Sequence, residues 1–272
     1  MIISTRTAIH LLGLLSFPAL AQVPQTLVPI DESVAEVFQQ IASDERVHSS
    51  LQLIEAREPE NVREQFRITE IPAPPFQEER RAVYYLEQMR TRGLNDAYID
   101  TEGNAIGIRK GTGNGPTLLI AAHLDTVFPE DVDTTVELRG GRYYAPGIGD
   151  DTRGLAVLLS IIEVLNESGI ETGGDIIFSG NVGEEGRGDL RGIKAIFRDY
   201  PEIDGFISID GVQLRRITTG ATGSRRFEFH FKGPGGACLP LHSDNGNGMP
   251  APFSMTSQVA NVNYALTPYS EE

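Results

Sequence analysis

Thr117-Leu118-Leu119-Ile120-Ala121-Ala122-His123-Leu124-Asp125 decides the fold. After its opening threonine the run is apolar without alternation, which predicts a strand buried on both faces over residues 117–122. Such strands belong to sheets covered by helices on either side. Downstream, residues 154–166 form a strongly apolar helical stretch and 175–182 a second buried strand. A helix over 190–197 and a strand over 205–210 follow. This β-α-β-α-β order predicts an α/β fold with a mostly parallel sheet and helices on both faces. Upstream, residues 97–99 and 105–109 read as a hairpin around Glu102-Gly103-Asn104. Residues 78–92 read as a helix with Val83, Leu86 and Met89 on one stripe. Ile71-Pro72-Ala73-Pro74-Pro75 is an extended turn that cannot be helical. Further back, 32–42 and 49–57 have helical spacing. The Gly-rich turn at 111–115 precedes a strand rather than opening a helix, so it is not read as a phosphate loop.

The chain has 272 residues, 40% hydrophobic and 22% charged, a composition that predicts a packed globular core. Its formal charge is -15, which argues against nucleic acid as a partner, because phosphate binding needs a basic surface. Residues 1–21 read as an export signal: Arg6 supplies the positive charge, an apolar stretch follows, and Ala19-Leu20-Ala21 is a small-x-small cleavage site. The expected location is therefore periplasmic or secreted, with no stable membrane anchor. Cys238 is the only cysteine, which excludes an internal disulfide and a thiolate zinc site. Any metal must be held by His, Asp and Glu.

In open α/β sheets the site lies outside the carboxyl ends of the strands, and here each of those ends carries candidates. They are His123-Leu124-Asp125, Gly183-Glu184-Glu185-Gly186 and Ser208-Ile209-Asp210-Gly211, with Gly149-Asp150-Asp151 opening the apolar helix. Singly, each has a plainer reading. A histidine after an apolar strand is most often a core residue, two aspartates before a helix can be N-caps, and paired glutamates can be a solvated turn. Together, four such clusters at one sheet edge point to a cation. Imidazole with carboxylate oxygen suits zinc, with cobalt or manganese as alternatives. Asp125 could accept a hydrogen bond from the second ring nitrogen of His123, the usual way a metal-bound imidazole is oriented.

The ordered set His123-Leu124-Asp125-Thr126-Val127, Gly147-Ile148-Gly149-Asp150-Asp151-Thr152-Arg153-Gly154, Gly183-Glu184-Glu185-Gly186 and Ser208-Ile209-Asp210-Gly211 resembles the M20 family of zinc metallopeptidases, over roughly residues 71–231. The resemblance implies a zinc-exopeptidase-like fold with two zinc ions. His123 and Asp210 would bind one, Glu185 the other, and Asp150 would bridge them. Asp125 would orient His123, Glu184 would be the general base, and the Asp150–Asp151 peptide would be cis. The implied substrate is a small peptide or N-acyl amino acid, and the full-length form would be a homodimer.

The resemblance also implies a smaller α/β lid, or dimerisation domain, after the Asp210 strand. Residues 218–232, with Phe227, Phe229 and Phe231 alternating, read as its first strand. From Ala237 the pattern stops, and the Pro-, Gly-, Ser- and Asn-rich remainder is expected to be an aberrant, disordered tail from a truncated or frameshifted sequence. The expected organisation is therefore a signal at 1–21, a catalytic domain at 22–216, the start of the lid at 217–236 and the tail at 237–272. His230 and His242 fall in the wrong place for the last zinc ligand, which stays unassigned. Two functions remain open: a metal-dependent amide hydrolase impaired by truncation, or a non-catalytic remnant that binds one metal or none.

Overall fold

The computed structural model of the chain describes residues 30–211 and 216–220, together with the backbone of four short strands beyond them. Contacts divide the chain into two units, Met1–Val212 and Gln213–Glu272. The first contains a five-stranded sheet in the order β1 (Tyr98–Ile99), β2 (Ala105–Arg109), β6 (Ile176–Asn181), β3 (Thr117–His123), β7 (Ile203–Ser208). β6 and β7 both run parallel to β3, whereas β2 is antiparallel to β6 and β1 to β2. The registers His123↔Asn181 and Ala121↔Ser208 bring the carboxyl ends of the three parallel strands level with one another.

Side chains alternate across the buried strands and feed two cores. Phe178 and Ile120 face one core with Ile68, Tyr85, Met89, Leu155, Leu158 and Ile162, while Ile177 and Leu119 face the other with Ile106 and Ile196. The first core is supplied by α2 (Glu45–Thr69), α3 (Glu79–Thr91) and α4 (Thr152–Glu167), the second by α5 (Arg191–Asp199). Helices thus cover both faces. α4 contributes most: Leu155, Leu158, Leu159 and Ile162 are essentially solvent-free along one stripe.

Three local features depart from the sequence pattern. The second helix does not stop before Pro59 but continues to Thr69. A proline inside a helix forfeits one main-chain hydrogen bond and crowds the preceding turn. Contacts to α4 on both sides of it hold the helix together: Arg57 pairs with Glu163 and Glu167, Arg153 with Glu58, and Asn61 donates to Ser160. A second hairpin, β4 (Glu137–Arg139) with β5 (Arg142–Tyr144), was not anticipated from periodicity. Its signal is Gly140-Gly141, both at positive φ, as a tight two-residue hairpin turn requires. Finally, β7 belongs to the parallel set but is not buried. It is the outermost strand, and Phe206 and Ile207 are 43% and 49% exposed.

In the second unit, Thr222–Arg225 pairs with Val262–Ala265 and Phe229–His230 with Thr256–Ser257. Two of these short segments fall within 237–272, where the sequence pattern gives no regular structure; the rest of that stretch lies outside the described residues. So does the expected export signal at 1–21. Among the described residues no helix is long and apolar enough to cross a membrane.

The packing of α4 against the sheet generates a test. Leu158→Ala empties a fully enclosed site, and the unfolding free energy should fall by about 2–5 kcal/mol. Chemical denaturation monitored by far-UV circular dichroism would measure it; a loss below about 1 kcal/mol would mean that α4 is not the principal core helix.

Candidate metal centre

β3 ends at His123, which is 2% exposed. Its Nε2 lies 2.9 Å from Asp150 Oδ1 and 3.9 Å from Asp210 Oδ1. The other ring nitrogen, Nδ1, donates to the main-chain carbonyl of Asp125 at 2.9 Å, which leaves Nε2 as the nitrogen facing the carboxylates. The Asp125 carboxylate, which the sequence suggests orients the ring, lies 3.7 Å from Nδ1. It also accepts from the main-chain N–H groups of Glu184 (3.1 Å) and Glu185 (2.8 Å). Asp125 therefore links the strand end bearing His123 to the turn bearing the paired glutamates.

The two consecutive aspartates, joined by a cis peptide, divide the work between them. Asp151 is the N-cap of α4. Its carboxylate accepts from the N–H of Gly154 at 3.1 Å and from that of His123 at 3.1 Å, and it is almost wholly buried. Asp150 turns the other way, toward the imidazole. After β7, Ile209 continues the pairing by donating to the Ala121 carbonyl at 2.8 Å, which carries Asp210 to the same end of the sheet.

The result is two overlapping groups, His123–Asp150–Glu185 and His123–Glu184–Asp210, and within each the ligand-type atoms lie within 4.8 Å of one another. The crowding shows in the titration behaviour. Burial pushes Glu184 up from the ordinary glutamate range, opposed by the charge on His123, with Asp210 and Glu185 raising it further. Burial likewise pushes Glu185 up, and it lifts Asp151 to about 8. Burial also works against a charged His123, but the Asp125 and Asp150 carboxylates outweigh it and lift the ring to about 11. A divalent cation fits this donor set: one buried imidazole nitrogen and four carboxylates of hard oxygen, all converging.

One supporting residue is invisible to hydrophobic periodicity. Arg81 of α3 is 1% exposed and has no carboxylate within salt-bridge distance among the described residues. Its guanidinium donates to the carbonyls of Leu124 (2.6 Å) and Ile71 (2.5 and 2.9 Å), with Thr69 at 3.5 Å. Burial pushes it down to about 10, offset by the nearby Asp125 charge. It joins the extended proline turn to the peptide between His123 and Asp125, an attachment reinforced by the Thr126 N–H donating to the Ala73 carbonyl at 2.9 Å. Arg81→Met keeps the length but strands these carbonyls, and should cost about 3 kcal/mol or more of stability. Urea unfolding measures this, and a change under about 1 kcal/mol would show that water replaces the guanidinium without penalty.

Residues 119–250 match the family described as Peptidase family M20/M25/M40. Among curated proteins, a Pyrococcus abyssi protein provisionally named a LysW-lysine/LysW-ornithine hydrolase is 32% identical over 162 residues, 60% of this chain and 43% of the relative. Carboxypeptidase G2 of Pseudomonas sp. is 37% identical over 103 residues, 36% of this chain and 25% of that one. The chain thus spans less than half the length of these relatives. Two solved structures share the fold. Human carnosine dipeptidase 1 has a TM-score of 0.54 at 15% identity, covering 67% of this chain and 47% of that one. The di-peptidase Dug1p of Saccharomyces cerevisiae has a TM-score of 0.52 at 16% identity, covering 66% and 44%. The sequence match and the parallel strand ends carrying His123, Glu184, Glu185 and Asp210 agree, and residues 119–250 are similar to peptidase family M20/M25/M40.

Proposed function

We propose that the protein is an exported hydrolase that cleaves the amide bond of a small peptide or N-acyl amino acid, using two zinc ions. The observation that carries the reading is the convergence on His123 of two carboxylate pairs, Asp150 with Glu185 and Glu184 with Asp210, each within ligand reach of the ring at the carboxyl end of a parallel sheet. His123 and Asp210 would hold one ion and Glu185 the other, with Asp150 between them. Bound there, divalent ions supply Lewis acidity that lowers the pKa of a water and polarises a carbonyl. The protein's own part is to hold the ligands and to move a proton. Asp125 and the main-chain bonds it accepts fix both glutamates, so that Glu185 can face the ions while Glu184 remains a free carboxylate beside them. Glu184 is half-buried and raised by burial, the setting of a general base that accepts a proton from water and returns it to the leaving amine. The dipeptidase and hydrolase names of the relatives support a small peptide or peptide-like substrate for this chain.

The test is turnover of a panel of dipeptides and N-acyl amino acids with zinc or cobalt added. Chelation should abolish activity, and restoring the metal should recover it. Glu184→Gln should lower kcat by about 10²–10⁴-fold with metal binding unchanged. Metal binding without turnover of any panel member would instead favour a non-catalytic binding protein. Turnover indifferent to chelator would refute the metal reading altogether.

A further inference from the structure

We infer that Asn104, in the turn between β1 and β2, is a positioning residue for the Glu184–Glu185 loop, and that its carboxamide closes the neck of that loop. The inference rests on the proposed metal centre, because it assigns Asn104 its role through Glu184 and Glu185.

Those glutamates sit on the connection between β6 and α5, which leaves the sheet at Val182 and enters α5 at Arg191-Gly192. Asn104 is fully buried and lies between these two points. Its Oδ1 accepts from the Val182 N–H at 3.0 Å. Its Nδ2 donates to the Gly192 carbonyl at 3.1 Å and to Asp100 Oδ2 at 2.7 Å. Two acceptors on one side and a donor on the other fix the orientation of the amide and use both of its N–H groups. Val182 and Gly192 also meet directly, the Gly192 N–H donating to the Val182 carbonyl at 3.1 Å. The neck is closed so tightly that a Cβ on Gly192 would collide with Asn104 Oδ1 and the Val182 carbonyl.

Asn104 is itself held. Asp100 accepts from the main-chain N–H groups of Glu102, Gly103 and Asn104 through Oδ1, at 2.8–2.9 Å, while its second oxygen takes the Asn104 side chain. The turn is a preformed support, attached to β6 through the β2 ladder. The glutamate loop is thereby fixed at two levels: Asp125 grips the N–H groups of Glu184 and Glu185 at its tip, and Asn104 closes its base one residue before Gly183. A buried carboxamide spanning two main-chain groups 10 residues apart does what a strand partner would do, at a place where the ladder has ended. With the base open, the tip contacts alone must set where the two carboxylates point, and supporting contacts of this kind typically contribute about 10- to 100-fold in metal affinity.

The experiment compares the full wild-type chain with Asn104→Ala and with the isosteric Asn104→Asp, which keeps an acceptor for Val182 but has no donor for Gly192. Cobalt(II) is titrated by calorimetry and visible absorption, and amide hydrogen exchange is followed by mass spectrometry. The expected result is cobalt affinity weakened about 10- to 100-fold in both variants. Exchange should be faster across 183–191 and unchanged across 152–167, a contrast that a uniform loss of stability would not produce. Wild-type affinity in a folded variant, or exchange accelerated equally in both segments, overturns the positioning role. So does loss of the whole fold in both variants, which would make Asn104 a global support. Failure of the underlying reading is separable: a wild-type chain that binds neither cobalt nor zinc removes the metal centre before any variant is compared.

Discussion

Mutual repulsion of carboxylates around His123 is the constraint to which the surrounding structure answers. Asp125, Asp150, Asp151, Glu184, Glu185 and Asp210 all act on this one ring or on each other. Two like charges 4 Å apart repel by about 4 kcal/mol at the effective dielectric of a protein surface. Left to themselves, such groups would swing into solvent. Here each is either tied to main-chain donors or placed on backbone that is tied. Asp125 accepts from two N–H groups, Asp151 from two more, and Asp150 from the imidazole Nε2–H. A charge cluster held this way is an arrangement prepared for a cation of higher charge than one imidazolium.

The anchoring comes from parts of the chain remote in sequence, and this explains the use of charged and amide side chains in places where a hydrophobic core would suffice for stability alone. Arg81 reaches from α3 to the peptide between His123 and Asp125. Asp151 spans from the start of α4 back to the end of β3. All of them serve main-chain groups at points where regular hydrogen bonding stops, because a sheet must end before its strand-end residues can gather. Buried main-chain donors and acceptors at such ends demand partners.

How much of this is legible in the sequence follows from what each signal depends on. The parallel strands are legible because burial on both faces leaves an apolar run, as in residues 117–122. The gathering of His123, Glu184, Glu185 and Asp210 is legible because strand order and strand ends fix it. The division between Asp150 and Asp151 is not, since two identical side chains differ only in the backbone that carries them. Part of what the Asp125 carboxylate does is also hidden: proximity in sequence points to His123, and the fold adds two N–H groups from a loop about 60 positions away. Arg81 reads as a polar residue on an amphipathic helix, and only the assembled turn around it reveals its burial. The passage of α2 through Pro59 is decided by contacts with α4, against local propensity. The β4–β5 hairpin had a usable signal in Gly140-Gly141.

The strand order has a consequence for how the chain comes together. β2 and β3 are neighbours in sequence yet never touch; β6 lies between them, arriving more than fifty residues after β3 begins. During synthesis β3 therefore emerges without a partner, and β2 with only the two-residue β1 beside it. Closing such distant contacts costs chain entropy before any pairing is gained, which slows folding of sheets built this way. β6 must act as the keystone, since it zips β2 on one side and β3 on the other in a single insertion. The residues that follow it bear the paired glutamates, so the insertion that joins the two halves of the sheet also brings these carboxylates to the end of β3, before β7 adds Asp210.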